Sequence, residues 1–325
     1  MADIFDLAAT NLLSPVILSF VLGLVAALGR SDLSVPEAAA KAMSIYLLFA
    51  IGFKGGAAVA SNGLDATLVA TLVAGFVLSA VLPFIAFAML RVLTNLSRID
   101  AAAVAGHYGS ISIVTFVAAT SVLEGRAISS EGYMVAVAAV MEAPAILSAL
   151  WLVSRGGSGR RMDSELMREI MLNGSIVLLV GAFVIGAITG QEGLDKVSNF
   201  IVAPFTGVLC LFLLDMGLVA GRGLRESRSV LNMGAVAFGI IMPLVGSVFG
   251  LGAGLLIGLS PGGIALLMVL SASASYIAVP AAMRVALPEA NPSVYLTLSL
   301  GVTFPFNLTI GIPLYVAVSQ AVTGG

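Results

Sequence analysis

Charge is what this chain has least of. Only 10% of its 325 residues are Asp, Glu, Lys or Arg, against about 25% in an ordinary soluble domain. The formal net charge is −2, which excludes the basic footprint of a nucleic-acid-binding protein and a polybasic lipid patch. Cysteine occurs once, at Cys210 in an apolar run, so no disulfide forms within the chain and the residue reads as core packing. Histidine also occurs once, at His107. Cys/His zinc spacing and histidine-based triads therefore have almost nothing to build on, and neither a catalytic nor a metal centre is expected beyond a coupling cation. The first twelve residues carry Asp3 and Asp6 and no basic stretch, so no cleavable signal peptide is expected.

What is abundant is hydrocarbon. Hydrophobic residues make up 59% of the chain, with a mean hydropathy of +1.11. A spanning helix needs roughly 20 mostly apolar residues. Such runs lie near 12–29, 35–53, 64–92, 99–122, 131–154, 170–189, 197–221, 229–257, 262–286 and 293–320. Residues 155–169, RGGSGRRMDSELMRE, form the one clearly polar connection and divide the chain almost in half. With the N-terminus outside, cytoplasmic loops receive Arg30, Arg91, Arg98, Arg155, Arg160, Arg161, Arg168, Arg222, Arg225, Arg228 and Arg284. External loops receive only Lys54, Arg126 and Lys196. That bias predicts ten spans with both termini outside.

The halves resemble one another. Residues 35–56 can be laid on 197–221 so that Gly52 meets Gly217 and Gly56 meets Gly221. HYGSISIVTFVAA (107–119) lies over LSASASYIAVPAA (270–282), pairing Ser110 with Ser273 and Ser112 with Ser275; after a one-residue gap Tyr133 falls on Tyr295. Five spans per half is an odd number, so the second copy must enter the membrane from the opposite side. The expected fold is an all-α integral membrane protein, ten transmembrane helices in a 5+5 inverted repeat. Its expected divisions are residues 1–155, a short linker at 156–169 and residues 170–325.

Two places inside the spans are polar. Ser271, Ser273 and Ser275 are spaced by two, as are Ser110 and Ser112. On a helix such residues point to different faces; on extended backbone they share one. Pro280 removes a helical donor beyond Tyr276, and Gly106 and Gly109 loosen the matching place in the first half. Spans 4 and 9 are therefore expected to be discontinuous, each with a short extended hinge. Irregular backbone at that depth survives only where protein or water satisfies it. Half-helix N-termini offer N–H groups to an anion, while C-termini and hydroxyls offer oxygens to a cation. The pair of hinges suits a small anion accompanied by a hard cation such as Na⁺. The competing reading is that these serines bond back to their helices or allow close helix packing.

Other ionisable groups within the spans read individually. Glu142, ahead of Pro144, reads as a cation ligand or coupling site. Asp215 reads either as an ion-binding group or as a solvated or Arg222-paired structural one. Lys54, beside Gly55 and Gly56, is expected in an exposed turn, and Glu37 and Lys41 as a local i,i+4 pair. His107 reads as a hydrogen-bonded core histidine, with a proton relay as the alternative. Asn307, after Pro305, could bond a hinge or coordinate a cation.

With these segments in view, the chain resembles the sodium-dependent bicarbonate permease family over nearly its whole length. The resemblance is most specific at 104–119 (VAGHYGSISIVTFVAA), 140–147 (VMEAPAIL) and 276–315, above all in the element formed by Ala290 to Ser293 and Tyr295. It implies a gate domain from spans 1, 2, 6 and 7 and a core domain from spans 3–5 and 8–10. It implies Na⁺-coupled bicarbonate uptake across a bacterial inner membrane by a homotrimer. Carried onto this chain, the anion site comprises Gly109, Ser110, Ser112, Ser271, Ser273, Ser275 and Tyr276, and the sodium site Thr115, Glu142, Ser273 and Asn307. Tyr276 stands where members of the family carry an aspartate, and 155–169 is short where they carry a long insertion. Regulation by a PII-like protein is implied by the resemblance alone. Tyr276 and the methionine-rich spans also admit an organic carboxylate with Na⁺ or H⁺ coupling, and a non-transporting membrane sensor is the alternative of a different class.

Overall fold

The computed structural model describes residues 13–62, 65–154, 168, 172, 174–226, 232–276, 279–280, 283 and 287–324. Most of the 156–169 linker and the basic residues Arg155, Arg160, Arg161, Arg228 and Arg284 lie outside them.

The described residues are predominantly helical, with no strand among them. In chain order the helices are α1 (Pro15–Leu28), α2 (Glu37–Asn62), α3 (Ala66–Leu93), α4 (Arg98–Gly109), α5 (Ile113–Gly125), α6 (Met134–Val140), α7 (Glu142–Ser154), α8 (Gly174–Ile201), α9 (Phe205–Glu226), α10 (Met233–Ile257) and α11 (Pro261–Ala272). The last, α12 (Pro292–Thr323), widens to π-helical turns at Thr297–Thr303 and Asn307–Gly311. Among the described residues, eight apolar helices, counting α4–α5 and α6–α7 as single spans, are long enough to cross a membrane; α1 and α11 are apolar but shorter.

The helix ends are written in the sequence. Ser14, Asp65, Ser97, Asn232 and Ser260 each accept a backbone N–H in the first turn of α1, α3, α4, α10 and α11, satisfying donors that a helix start leaves bare. Gly258, in the left-handed region at φ 81°, closes α10. Gly190, at φ 60° and ψ −155°, breaks α8, and the short helix beyond it is polar, carrying the exposed Glu192–Lys196 pair.

Packing divides the helices into two families. α2 runs along α8, and α1 along α9. Both seams are lined by glycine. A Cβ added at Gly52 or Gly56 would strike the carbonyls of Leu179 or Phe183 on α8; one at Gly217 would strike the carbonyl of Phe20 on α1, and one at Gly221 would crowd Leu24 and Ala27 there. The glycines aligned by sequence thus make the same contact in each half. The other helices, α3 with α4 and α7, and α10 with α11, form the second body.

Burial is unequal. Of its most apolar window, 94% is buried in the interrupted span Arg98–Gly125, against 17% in Val177–Ile201 and 33% in Met233–Ile257. The hinge is therefore wrapped by protein, while α8 and α10 present side chains such as Val184, Ile188, Val248 and Leu256 outward. Lys54 corrects an expectation. It lies within α2, not in a turn, because the helix runs on to Asn62, and its Nζ meets Glu124 of α5 at 2.7 Å.

Candidate functional site

Both polar interruptions break their helices. α4 ends at Gly109; Ser110 is extended at φ −85°, ψ 171°, and Ser112 at φ −101°, ψ 107°. Helix resumes at Ile113, with the Ser112 hydroxyl accepting from the Thr115 N–H at 3.2 Å and the Thr115 hydroxyl donating to it at 2.8 Å. In the second half α11 ends at Ala272, Ser273 is extended at φ −91°, ψ 164°, and 273–275 are non-helical. Residues 277–278, just beyond Tyr276, lie outside the described residues, and helix is again present at Val279 and Pro280. The alternating serines marked the break in both places, but Ser271 lies in the last turn of α11, so the extended stretch of the second half begins at Ser273.

The two junctions cross and bond to each other. The Ser112 N–H donates to the Ser273 hydroxyl at 2.9 Å, which donates in turn to the Leu270 carbonyl at 3.0 Å. The Ser275 N–H donates to the His107 carbonyl at 2.8 Å, and the Ser275 carbonyl lies 2.5 Å from Nδ1 of His107. Ser110, Ser112, Thr115, Ser271, Ser273 and Ser275 are all buried. Around the crossing, Oγ of Ser110 and of Ser271 have no hydrogen-bond partner among the described residues. A buried hydroxyl without a partner costs about 1–3 kcal/mol, so these are oxygens that a bound ion would satisfy.

The supporting layer uses prolines to free carbonyls. Pro243 in α10 cannot bond the Gly239 carbonyl, and the Thr303 hydroxyl takes that bond at 2.6 Å. With its proton so used, Thr303 accepts from the Tyr108 hydroxyl at 2.6 Å. In the first half Pro83 of α3 plays the matching part. It frees the Ser79 carbonyl, and Gly109 sits against both that carbonyl and the proline ring, where no Cβ fits. Asn307, on the second π stretch, donates to the Ala272 carbonyl at 2.9 Å and accepts from the Tyr315 hydroxyl at 3.0 Å. It bonds the hinge.

Of the sodium candidates, Thr115, Ser273 and Asn307 are joined to the junctions by these bonds. Glu142 opens α7 at the break after α6, buried, and no hydrogen bond among the described residues links it to either junction; its Oε2 has no partner. Tyr276 is buried, its ring edge-on to Phe304 at 5.2 Å. Asp215 is buried in α9.

Sequence reasoning missed three participants. Tyr108 and Thr303 carry no local signal, although a proline four residues after Gly239 announces a free carbonyl. The Lys54–Glu124 pair, which joins α2 to α5, lies 70 residues apart in sequence. It borders a cavity of about 280 Å³ shared with Phe116, Ser130 and Phe205.

Residues 15–320 match the Na⁺-dependent bicarbonate transporter superfamily. The chain belongs to that superfamily. Membership of this transporter superfamily, with eight spanning-length apolar helices, makes the chain a multi-pass membrane protein. No curated protein matches it. Among the described residues, the crossing is a place where buried polar groups converge inside apolar spans.

Proposed function

We propose that this member of the superfamily is a secondary active transporter coupling inward Na⁺ movement to uptake of bicarbonate or a similar small anion by alternating access. The observation that carries the proposal is the bonded crossing of two interrupted helices, with unpartnered hydroxyls at Ser110 and Ser271. The anion is held by Ser110, Ser112, Ser271, Ser273 and Ser275 beside Gly109, with Tyr276 closing one side. The α5 N-terminus faces this junction, and the positive end of its helix dipole favours negative charge there. Na⁺, a hard cation that takes oxygen ligands, is held by oxygens of Thr115, Ser273 and Asn307, with Glu142 as coupling carboxylate.

The reading extends to architecture. Ten spans in a 5+5 inverted repeat are supported by the matched glycine seams, the matched hinges and the paired roles of Pro83 and Pro243. The α1–α9 and α2–α8 pairs form the gate domain, and the remaining helices the core that moves against it. Both termini face outward from a bacterial inner membrane. The family resemblance adds a homotrimer and a PII-like regulator.

A one-to-one symport of Na⁺ with a monoanion moves no net charge, so it forgoes the roughly 2.3 kcal/mol per charge that 100 mV supplies and runs on the Na⁺ gradient. The test is uptake of labelled bicarbonate into proteoliposomes with and without an inward Na⁺ gradient. Accumulation that requires Na⁺ and is indifferent to clamped voltage is expected. Uptake that ignores Na⁺, or competition by organic carboxylates stronger than by bicarbonate, overturns it.

A further inference from the structure

His107 is the single histidine of the chain and is 0% exposed. It sits in the last turn of α4, three residues before the junction begins at Ser110. Both main-chain groups of Ser275, on the opposite junction, end on this one residue: the Ser275 N–H on the His107 carbonyl at 2.8 Å and the Ser275 carbonyl on Nδ1 at 2.5 Å. In a β-ladder two strands exchange such bonds through their backbones. Here an imidazole supplies the second donor that a helical residue's own backbone, already engaged in its helix, cannot.

The chemistry fixes the tautomer. A carbonyl oxygen only accepts, so Nδ1 must carry the hydrogen. Nε2, buried and without a partner among the described residues, is then a bare lone pair. The ring is stacked on Tyr295, centroids 4.5 Å apart and planes 23° from parallel, and a half-turn within that stack would put the Cδ2 carbon in place of Nδ1 and lose the bond to the Ser275 carbonyl. Tyr295 belongs to α12, so the clip is braced from a third element.

We infer that His107 is a positioning residue: fixed as the Nδ1–H tautomer, it clips the second junction to the first and so sets where the Ser273 and Ser275 oxygens stand. This rests on reading the crossing as the transport site. Without the imidazole the Ser275 carbonyl loses its partner, and the junction, tied to His107 only by the bond from the Ser275 N–H to the main-chain carbonyl, relaxes toward other arrangements. The serines are displaced while the helices that carry them stay packed, so the defect falls on ligand binding.

Asparagine places an N–H where Nδ1 stands, whereas glutamine places it one bond farther out. H107N is therefore expected to hold the KM for labelled bicarbonate within about threefold of the wild type. H107A and H107Q are expected to raise it about tenfold or more, the effect of roughly one buried hydrogen bond to binding, with maximal rates changed less. H107N as impaired as H107A overturns the clip.

A second measurement needs no transport. In wild-type protein labelled with ¹⁵N-histidine, the one imidazole must show a protonated Nδ1 and an unprotonated Nε2 at neutral pH. The opposite tautomer overturns the inference even if every variant behaves as expected. Wild-type liposomes that accumulate no bicarbonate defeat the function reading instead, and the nitrogen spectrum still judges the tautomer.

Discussion

Ser273→Ala removes one oxygen from the crossing and leaves everything else in place. That oxygen accepts the Ser112 N–H at 2.9 Å and donates to the Leu270 carbonyl at 3.0 Å. The Leu270 carbonyl keeps a partner in the Ser273 N–H at 3.4 Å, so the group left bare is the Ser112 N–H. Ser112 is 3% exposed, and a buried donor without a partner costs about 1–3 kcal/mol. Expressed in binding, this corresponds to a roughly 5- to 150-fold rise in the KM for the anion. Half-saturation by Na⁺ should rise too, since the same hydroxyl is a proposed sodium ligand. Ser273→Thr keeps the oxygen and should recover most of the loss. Initial rates of labelled bicarbonate uptake into proteoliposomes, at fixed gradients and matched protein density, give both constants. A KM for Ser273→Ala within twofold of wild type refutes the reasoning, because the junctions would then not depend on their mutual bond.

Thr303→Val preserves shape but strands the Gly239 carbonyl and the Tyr108 hydroxyl, costing roughly 2–6 kcal/mol for the two groups; thermal unfolding in detergent should show it, and adding Tyr108→Phe should return part of the loss. Gly109→Val drives a side chain into the Pro83 ring and the Ser79 carbonyl, so uptake should vanish and the unfolding temperature fall, overpacking of this kind costing about 1–3 kcal/mol; normal uptake would show that the two helices can part. Glu142→Gln should weaken Na⁺ activation more than anion affinity, and an unchanged Na⁺ dependence in the same assay clears Glu142 of the coupling role.

The hinges were legible because extended backbone has a period of its own. Serines at 110 and 112, and at 273 and 275, make no sense on one helical face and good sense on a strand. The seam glycines were legible for a similar reason: Gly52 with Gly56 and Gly217 with Gly221 recur at helical spacing in matched places. What could not be read was pairing across the chain. Nothing near Lys54 names Glu124, and nothing near His107 names Ser275, since each partner is supplied by the packing of other helices. Lys54 misled for a local reason. Two following glycines suggest a turn, yet in α2 Gly56 serves close approach to α8 and leaves the helix unbroken.

The glycine seams also govern how the protein is made. α1 finds its main packing partner in α9, where the Phe20 and Leu24 carbonyls lie against Gly217 and Gly221. Everything from α2 to α8 must leave the ribosome first. At about 5–20 residues per second of synthesis, the first helix waits on the order of ten seconds or more in the bilayer with its seam open to lipid. The N-terminal half is thus no independent folding unit, since α1 and α2 each complete their contacts on helices of the other half. Split between the halves, the two fragments should assemble only when inserted together.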